Sequence, residues 1–252
     1  MDKLLHLKTA EIEKTTHSDF FNIAISVDCV IFGYEEKQLK VLLIKSDLKE
    51  FEGLWSLLGD LVKPEEDMED APYRVLEART GLEDVFLEQV YTFGALNRHP
   101  SGRVITTAYY SLIDINKYKL QLAENELHWH NVNQIEKLAF DHKLILENCL
   151  KRLQEQIMEH PIVFNLLPEK FSLRELQDVY EAILGVELDR RNFRKRMVLK
   201  NWLVDLNEME DNVPHRPGRL YTLKSQFKKG YTASKKKHPD LLNGVRKEQI
   251  KV

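Results

Sequence analysis

Residues 60–82 have the spacing of a site that would bind a metal ion and a diphosphate, with Glu66 and Arg74 at two of its polar positions. On a helix, glutamates one turn apart project their carboxylates from one face, where they can hold Mg²⁺ against a pyrophosphate. The three positions where such glutamates would stand hold Val75, Ala78 and Arg79. Because Val75 and Ala78 cannot ligate a cation and Arg79 repels one, Glu66 by itself is not a metal site. The sequence therefore predicts binding without metal-dependent catalysis, and no cofactor.

A helix must position these residues, and local residue types predict where it begins and ends. Pro72 is tolerated only in the first turn of a helix, so Asp70 is the expected N-cap and Ala71 the first helical residue. The helix is expected to run to Thr80 and to end at Gly81, since glycine readily adopts the left-handed conformation that follows a helix.

The order of residues resembles the signature of metal-dependent pyrophosphohydrolases, G-x5-E-x7-R-E-U-x-E-E-x-G-U, where U is a bulky aliphatic residue. The register is intact from Glu66 through Arg74 to Gly81 and Leu82, but Asp60 replaces the first glycine. The chain has kept the frame of this motif and lost most of its carboxylates.

The flanking segments alternate between apolar and polar residues, as β-strands do. A strand over 22–32 carries Asp28 on one face, and a polar turn over 33–38 leads to a second strand over 39–45, which predicts a hairpin. Further strands are expected over 85–95, 103–113 and 127–132. A long helix capped by Asp141 follows, with an apolar stripe of Ile145, Cys149, Leu153 and Ile157. This mixture predicts the α/β fold class and a sandwich architecture.

After residues 160–161 the pattern becomes helical. Ser172 and Glu175 have the spacing of a capping box, which predicts a helix over 173–184 that ends at Gly185. Asp189 is expected to cap a second helix over 190–199, with a buried stripe formed by Phe193, Met197 and Val198. Two capped helices joined by a short turn resemble a helix-turn-helix. The segments 202–204 and 219–223 are expected to pair as a hairpin around a polar stretch, as in a wing.

The net charge of −3 conceals an asymmetry. Residues 187–252 contain 17 Lys and Arg against 8 Asp and Glu, a net charge of +9, so the first 186 residues carry −12. A basic C-terminal region is typical of contact with a polyanion, although a solvated basic tail would have the same composition. The wing-like hairpin and the basic second helix favour double-stranded DNA.

These segments together resemble the Nudix-related transcriptional regulators, in which a degenerate Nudix domain precedes a winged helix. The resemblance is carried by FNLLP at 164–168, FSLRELQ at 171–177, YEAILG at 180–185, LDRRNFRKR at 188–196, RPGRLY at 216–221 and FDH at 140–142. It implies a Nudix-like α/β/α sandwich joined to a C-terminal winged helix-turn-helix. The expected divisions are an N-terminal arm (1–19), a sensor and dimerisation domain (20–158), a DNA-binding domain (160–224) and a flexible basic tail (225–252).

The same resemblance implies a homodimeric regulator, which we expect to be a repressor, on a palindromic operator. Its Nudix domain would bind a small effector, either arabinose or ADP-ribose in the known branches, and GALNR at 94–98 favours the pentose. A Nudix hydrolase with an accessory domain and a ligand-binding adaptor without DNA affinity remain alternatives. The expected DNA-binding residues are Arg190, Arg191, Asn192, Arg194, Lys195, Arg216 and Arg219.

Candidate effector-binding residues are polar or aromatic and lie near the predicted sheet and motif: Asp28, Lys45, Trp55, Asp60, Arg98, Arg103 and Tyr109. Lys45, Trp55 and Asp60 would suit a sugar, and Arg98 and Arg103 a diphosphate. His128 and His130 share a strand face with metal-like spacing, but a structural role is favoured because no Cys or carboxylate accompanies them.

The composition, with 43% hydrophobic and 31% charged residues, is that of a globular protein. No stretch approaches the roughly 18 apolar residues of a membrane span, and the N-terminus lacks a secretory signal. Cys29 and Cys149 stand in apolar patterns and are expected to be buried free thiols. We therefore expect a cytoplasmic protein with no membrane partner.

Overall fold

The computed structural model describes residues 22–83, 85–118, 127–211, 213–214 and 216–228. The expected N-terminal arm at 1–19 lies outside this range, as does most of the expected basic tail. The part of that tail that is described begins with a short helix, α5 (Ser225–Lys228).

A mixed sheet forms the centre of the N-terminal domain. Its strands are β1 (Ala24–Glu35), β2 (Gln38–Lys45), β3 (Trp55–Ser56), β4 (Leu58–Leu61), β5 (Glu88–Phe93), β6 (Val104–Asp114) and β7 (Leu127–Asn131). The order is β3-β2-β1-β6-β5, while β4 pairs with β1 and β7 with β2. β1 and β6 are parallel along their lengths, and the other pairs are antiparallel. All the predicted strands are present, although β5 is shorter than the segment 85–95.

The first hairpin is tighter than the sequence suggested. β1 continues through Gly33 to Glu35, and the turn consists of Glu36 and Lys37, whose φ angles are 49° and 61°. Gly33 belongs to the strand rather than to the turn. A Cβ added at Gly33 would lie 2.5 Å from Ile115 Cγ1. Its missing side chain therefore permits close packing over the sheet.

Helices cover both faces of the sheet and give the predicted α/β/α sandwich. α1 (Ala71–Thr80) ends at Gly81 in the left-handed conformation (φ 68°), and both bounds are as predicted. α2 (His142–Glu159) covers the other face and buries its whole predicted stripe. The side chains of Asp70 and Asp141 do not cap these helices. Asp70 itself has helical backbone angles, and the carboxylate of Asp141 binds Arg98 instead.

The C-terminal domain is a winged helix. It contains α3 (Leu173–Leu184), α4 (Arg190–Lys200) and a small sheet of β8 (Phe171–Ser172), β9 (Leu203–Met209) and β10 (Arg219–Leu223) in the order β8-β10-β9. The capping box at the start of α3 is confirmed, with reciprocal bonds between Ser172 and Glu175. Asp189 caps α4 by accepting from the amide of Asn192 at 2.9 Å.

One prediction for α4 is wrong. Phe193 and Met197 are buried, but Val198 is 65% exposed. Val198 lies about 100° around the helix from Met197, which carries it out of the buried stripe and onto the solvent face.

A single hydrophobic cluster runs from one face of the Nudix-like sheet into the winged helix. It contains Phe32 and Leu43 of the sheet, Leu153 of α2, and Phe171 and Trp202 of the winged helix. A second cluster lies under α1 and includes Cys29, Leu76 and Tyr109. Cys29 and Cys149 are buried free thiols as predicted, and burial raises the pKa of the Cys149 thiol to about 12. In the described part of the chain, no helix is long and apolar enough to cross a membrane.

Candidate functional site

Arg74 holds the altered motif together. Its guanidinium donates to Glu66 Oε1 at 2.6 Å, Asp60 Oδ2 at 2.9 Å and the carbonyl of Leu61 at 2.8 Å. The hydrogen bond from Arg74 lowers the pKa of the Glu66 carboxyl, so this glutamate stays ionised and paired. The retained residues of the motif therefore fix the loop onto α1.

The motif does not fit a metal ion. Glu66, the one retained motif carboxylate, and Asp60 are both bound to Arg74. Val75 is buried in the core, and Ala78 and Arg79 are on the exposed surface. Among the described residues, no group of three or more His, Cys, Asp or Glu lies together as a metal site. Asp60, a predicted effector ligand, is tied to α1 in this arrangement.

A second set of polar residues lies on the α2 side of the sheet, where the loop after β5 meets the start of α2. We call Asp28, Arg98, Thr106, Asp141 and His142 the polar cluster. Arg98 donates two bonds to Asp141, from Nε at 2.9 Å and from Nη2 at 2.7 Å, and its Nη2 is 3.5 Å from Asp28 Oδ2. Thr106 donates to the same Asp28 oxygen at 2.7 Å. Two predicted effector residues, Asp28 and Arg98, are thus brought together.

His142 completes the polar cluster as a neutral side chain. Its Nδ1 accepts from the amide of Leu57 at 3.0 Å, which leaves Nε2 to carry the proton, 3.4 Å from Asp28 Oδ1. Burial lowers the pKa of His142, against smaller opposing effects of Asp28 and Asp141. The cluster therefore contains two carboxylates and one guanidinium.

Aromatic rings surround the solvent side of the polar cluster. His99 stacks on Phe140 with ring centroids 5.0 Å apart, and Phe51 packs on the same ring at 4.4 Å. Phe140 has a φ of 52°, a conformation that is costly for a bulky residue. The loop that carries Arg98 and His99 is therefore docked against the beginning of α2 by both charge and stacking.

The other predicted effector residues have their own partners outside the polar cluster. The Nζ atom of Lys45 lies 5.8 Å from the ring centroid of Trp55, where β2 pairs with β3. Arg103 donates to the carbonyls of Gly94 and Ala95. Tyr109 is buried on the opposite face of the sheet, under α1, and burial raises its pKa to about 12. Of the seven candidates, direct contacts join Arg98 to Asp28 and Lys45 to Trp55.

The histidine pair packs on an aromatic ring. His128 and His130 lie with ring centroids 5.3 Å and 4.4 Å from that of Trp55. This contact supplies the structural role that was favoured for them over metal binding.

In the C-terminal domain, α4 presents its basic residues to solvent. All five of the predicted contacts on this helix are exposed: Arg190, Arg191, Asn192, Arg194 and Lys195. Val198 and Leu199, which are 65% and 74% exposed, share this outer surface and were missed as candidates. Exposed aliphatic groups among arginines can contact thymine methyl groups in a major groove.

The wing lies beside α4 and closes a groove of about 730 Å³. Arg190 and Arg194 line one side, and Arg216 and Arg219 line the other. Arg219 is held by Asp205 of β9 at 2.8 Å. The groove is also lined by four acids, Asp178, Glu181, Glu187 and Glu210. Asp178 pairs with Lys37 at 2.8 Å, Glu181 accepts from the Leu188 amide, and Glu210 accepts from the Gly218 amide.

Three residues of the polar cluster were not among the effector candidates predicted from the sequence: Thr106, Asp141 and His142. The sequence indicated the FDH segment at 140–142 only as a segment typical of the family. It assigned the carboxylate of Asp141 to helix capping. Its actual partner, Arg98, is 43 residues away in the chain.

An α/β/α sandwich with a degenerate motif, continued by a winged helix, is the architecture of a DNA-binding transcriptional regulator. Residues 23–149 match the NUDIX domain family, and residues 163–223 match the family described as NrtR DNA-binding winged helix domain. The chain belongs to the NrtR family of transcriptional regulators.

Three proteins that match over most of their own length show what the chain resembles. The chain is 33% identical over 209 residues to the ADPR responsive transcriptional repressor NtrR of Acinetobacter baylyi, covering 81% of this chain and 83% of that protein. It is 32% identical to Shewanella oneidensis NrtR in a crystal structure with a 27mer DNA, at a TM-score of 0.66 over 79% of this chain and 93% of the other. An ADP-ribose pyrophosphatase of Methanocaldococcus jannaschii is 29% identical over 134 residues, or 52% of this chain and 76% of that enzyme.

Proposed function

We propose that this protein is a transcriptional repressor that binds operator DNA through α4 and the wing and releases it when the Nudix domain binds ADP-ribose. The observation that carries the proposal is the groove between α4 and the wing, whose lining includes Arg190 and Arg194 of α4 and Arg216 and Arg219 of the wing. A recognition helix needs exposed base-reading residues and flanking cations for phosphates, and both are present here.

ADP-ribose replaces the pentose as the proposed effector. The A. baylyi repressor is named for its response to ADPR, and the M. jannaschii relative is an ADP-ribose pyrophosphatase. These relatives do not support the prediction from the sequence that the effector is arabinose. A diphosphate is also the better partner for the guanidinium groups of Arg98 and Arg103, which a neutral sugar would not need.

We propose that the Nudix domain binds without turnover. The guanidinium of Arg74 binds Asp60 and Glu66, the one carboxylate retained from the motif, and no carboxylate stands at positions 75, 78 and 79. A sensor benefits from this loss because its signal is not consumed. Such a regulator acts at the chromosome, which places it in the cytoplasm.

We further propose that the protein binds a palindromic operator as a homodimer. Each winged helix would read one half-site, with half-site centres about 34–36 Å apart or a multiple of that distance. A symmetric pair of arginine-lined grooves would also make binding strongly dependent on salt.

A selection from random duplex DNA, followed by fluorescence anisotropy on the selected sequence, tests the repressor function. We expect tight binding that ADP-ribose reverses, while arabinose and ribose 5-phosphate do not. Failure to enrich any sequence would favour a ligand-binding adaptor, and release by arabinose would restore the pentose as effector.

An assay of ADP-ribose with Mg²⁺ and the same protein tests the absence of catalysis. We expect the ADP-ribose concentration to stay constant when the protein is present at the concentrations used to assay enzymes. Steady production of AMP and ribose 5-phosphate would show that the chain is a hydrolase with an accessory domain.

A further inference from the structure

Helix α2 connects the polar cluster to the DNA-binding domain. Asp141 and His142 stand at its N-terminal end, and the helix continues for 18 residues, or about 27 Å. At the other end, the carbonyl of Ile157 accepts from the hydroxyl of Tyr180 in α3 at 2.9 Å, and the carbonyl of Met158 accepts from Lys200 of α4. The helix α2 therefore contacts the loop that carries Arg98 and His99 at one end, and both helices of the helix-turn-helix at the other.

The packing of α2 favours movement as one body. Ile145, Cys149, Leu153 and Ile157 are completely buried, and they belong to the cluster that joins the sheet to the winged helix. Closely packed helices of this kind shift between discrete positions rather than deforming along their length. α2 is therefore a rigid connection from Asp141 to α3 and α4.

The N-terminal end of α2 is held by the bidentate bond from Arg98 to Asp141 and by the stack of His99 on Phe140. The strained backbone of Phe140 lies in this junction, immediately before Asp141. A strained residue between two fixed groups is typical of an element with two arrangements. Releasing the Arg98 bond would free this junction.

We propose that Asp141 is a positioning residue that competes with the diphosphate of the effector for the guanidinium of Arg98. The proposal rests on the proposed function. When ADP-ribose takes the guanidinium, Asp141 leaves the polar cluster, and α2 carries the change to α3 and α4.

The burial of the partners supports this exchange. The side chain of Asp141 is 20% exposed, whereas those of Arg98 and Asp28 are 4% and 6% exposed. Asp28 is also held by Thr106, so Asp141 is the carboxylate that can turn into water at lower cost. When one anion replaces another beside Arg98, the buried guanidinium keeps an anionic partner.

The test is calorimetric titration of ADP-ribose into the full-length wild type and the D141N variant, with operator binding measured in parallel. Removing a charged hydrogen-bonding competitor is expected to tighten ADP-ribose binding about tenfold. The same variant should bind the operator more weakly without effector, because α2 is already released. A residue with a structural role only would not improve ligand binding when it is altered.

Two further variants complete the design. E147Q removes a carboxylate from the exposed side of the same helix, where Glu147 is 3.6 Å from Lys143, and should leave both affinities unchanged. Arg98→Lys keeps the charge but loses the bidentate geometry, so ADP-ribose should bind more weakly and release the operator less readily. If D141N does not fold, the Arg98→Lys variant tests whether ADP-ribose binds through the guanidinium of Arg98.

The outcomes separate the two proposals. Wild type that does not bind ADP-ribose would refute the proposed effector and this inference with it. If wild type binds ADP-ribose but D141N binds it equally or less well, the competition is wrong and the proposed function stands. An unchanged ADP-ribose response in the Arg98→Lys variant would also overturn the competition.

Discussion

Gly59 and Asp28 face each other across β4 and β1 so closely that a Cβ at position 59 would lie 2.4 Å from Asp28 Oδ1. The same Cβ would be 2.9 Å from the carbonyl oxygen of Val27, which is backbone and cannot turn aside. The glycine therefore makes room for the carboxylate at the centre of the polar cluster.

Gly59→Ala is expected to destabilise the protein by about 1–3 kcal/mol, the usual effect of overpacking a core. Urea denaturation followed by circular dichroism measures this loss. Gly94→Ala is the matched control, since the nearest atoms to its added Cβ lie 3.8 Å away. Equal stability of the two variants would show that the contact at Gly59 is relieved easily.

Arg191→Ala is expected to weaken operator binding by about 1–3 kcal/mol if this side chain reads a base, with a larger loss on the selected sequence than on random DNA. The reason is the position of Arg191 on the exposed face of α4. Anisotropy titrations over a range of salt concentrations measure both effects. Lys151→Ala, which removes an exposed cation from α2, should change little. A uniform loss on all DNA would assign Arg191 to phosphate contact.

Arg74→Ala should lower stability by about 1 kcal/mol or more, equivalent to about 2–4 °C in melting temperature, because Glu66, Asp60 and the Leu61 carbonyl lose their common donor. Thermal melts followed by circular dichroism measure this. Arg79→Ala on the exposed face of the same helix provides the comparison. If both variants melt alike, Arg74 does not hold the motif loop.

Stability should decrease as the pH falls from 7 to 5, in part because of His142. Burial lowers its folded pKa below the unfolded value of about 6.5, so in this window the unfolded chain binds more protons than the folded one. The contribution is complete above about pH 6.5 and is lost as the pH falls through the folded pKa. Urea denaturation at several pH values should show a shallower dependence in His142→Asn. Exposed His160→Asn should retain the wild-type slope, and an unchanged slope in both variants would exclude His142 as a source.

The elements that the sequence predicted best depend on neighbours in the chain. The capping bonds of Ser172 with Glu175 and of Asp189 with Asn192 span three residues, and Gly81 ends α1 by its own backbone freedom. The spacing of the motif residues between 60 and 82 is also a property of neighbouring positions in the chain. These interactions are set by spacing, so a reader of the sequence can place them.

The sequence by itself thus determined the two domains, the limits of their helices, the loss of metal ligands and the basic face of α4. The tertiary structure decided which polar groups meet. Arg98 reaches Asp28 across 70 residues and Asp141 across 43, because the parallel pairing of β1 with β6 and the docking of α2 bring them together. It also turned Val198 outward and gave the predicted effector residues partners that the sequence did not indicate. Contacts of this kind depend on strand register and helix packing, for which a single sequence contains no local pattern.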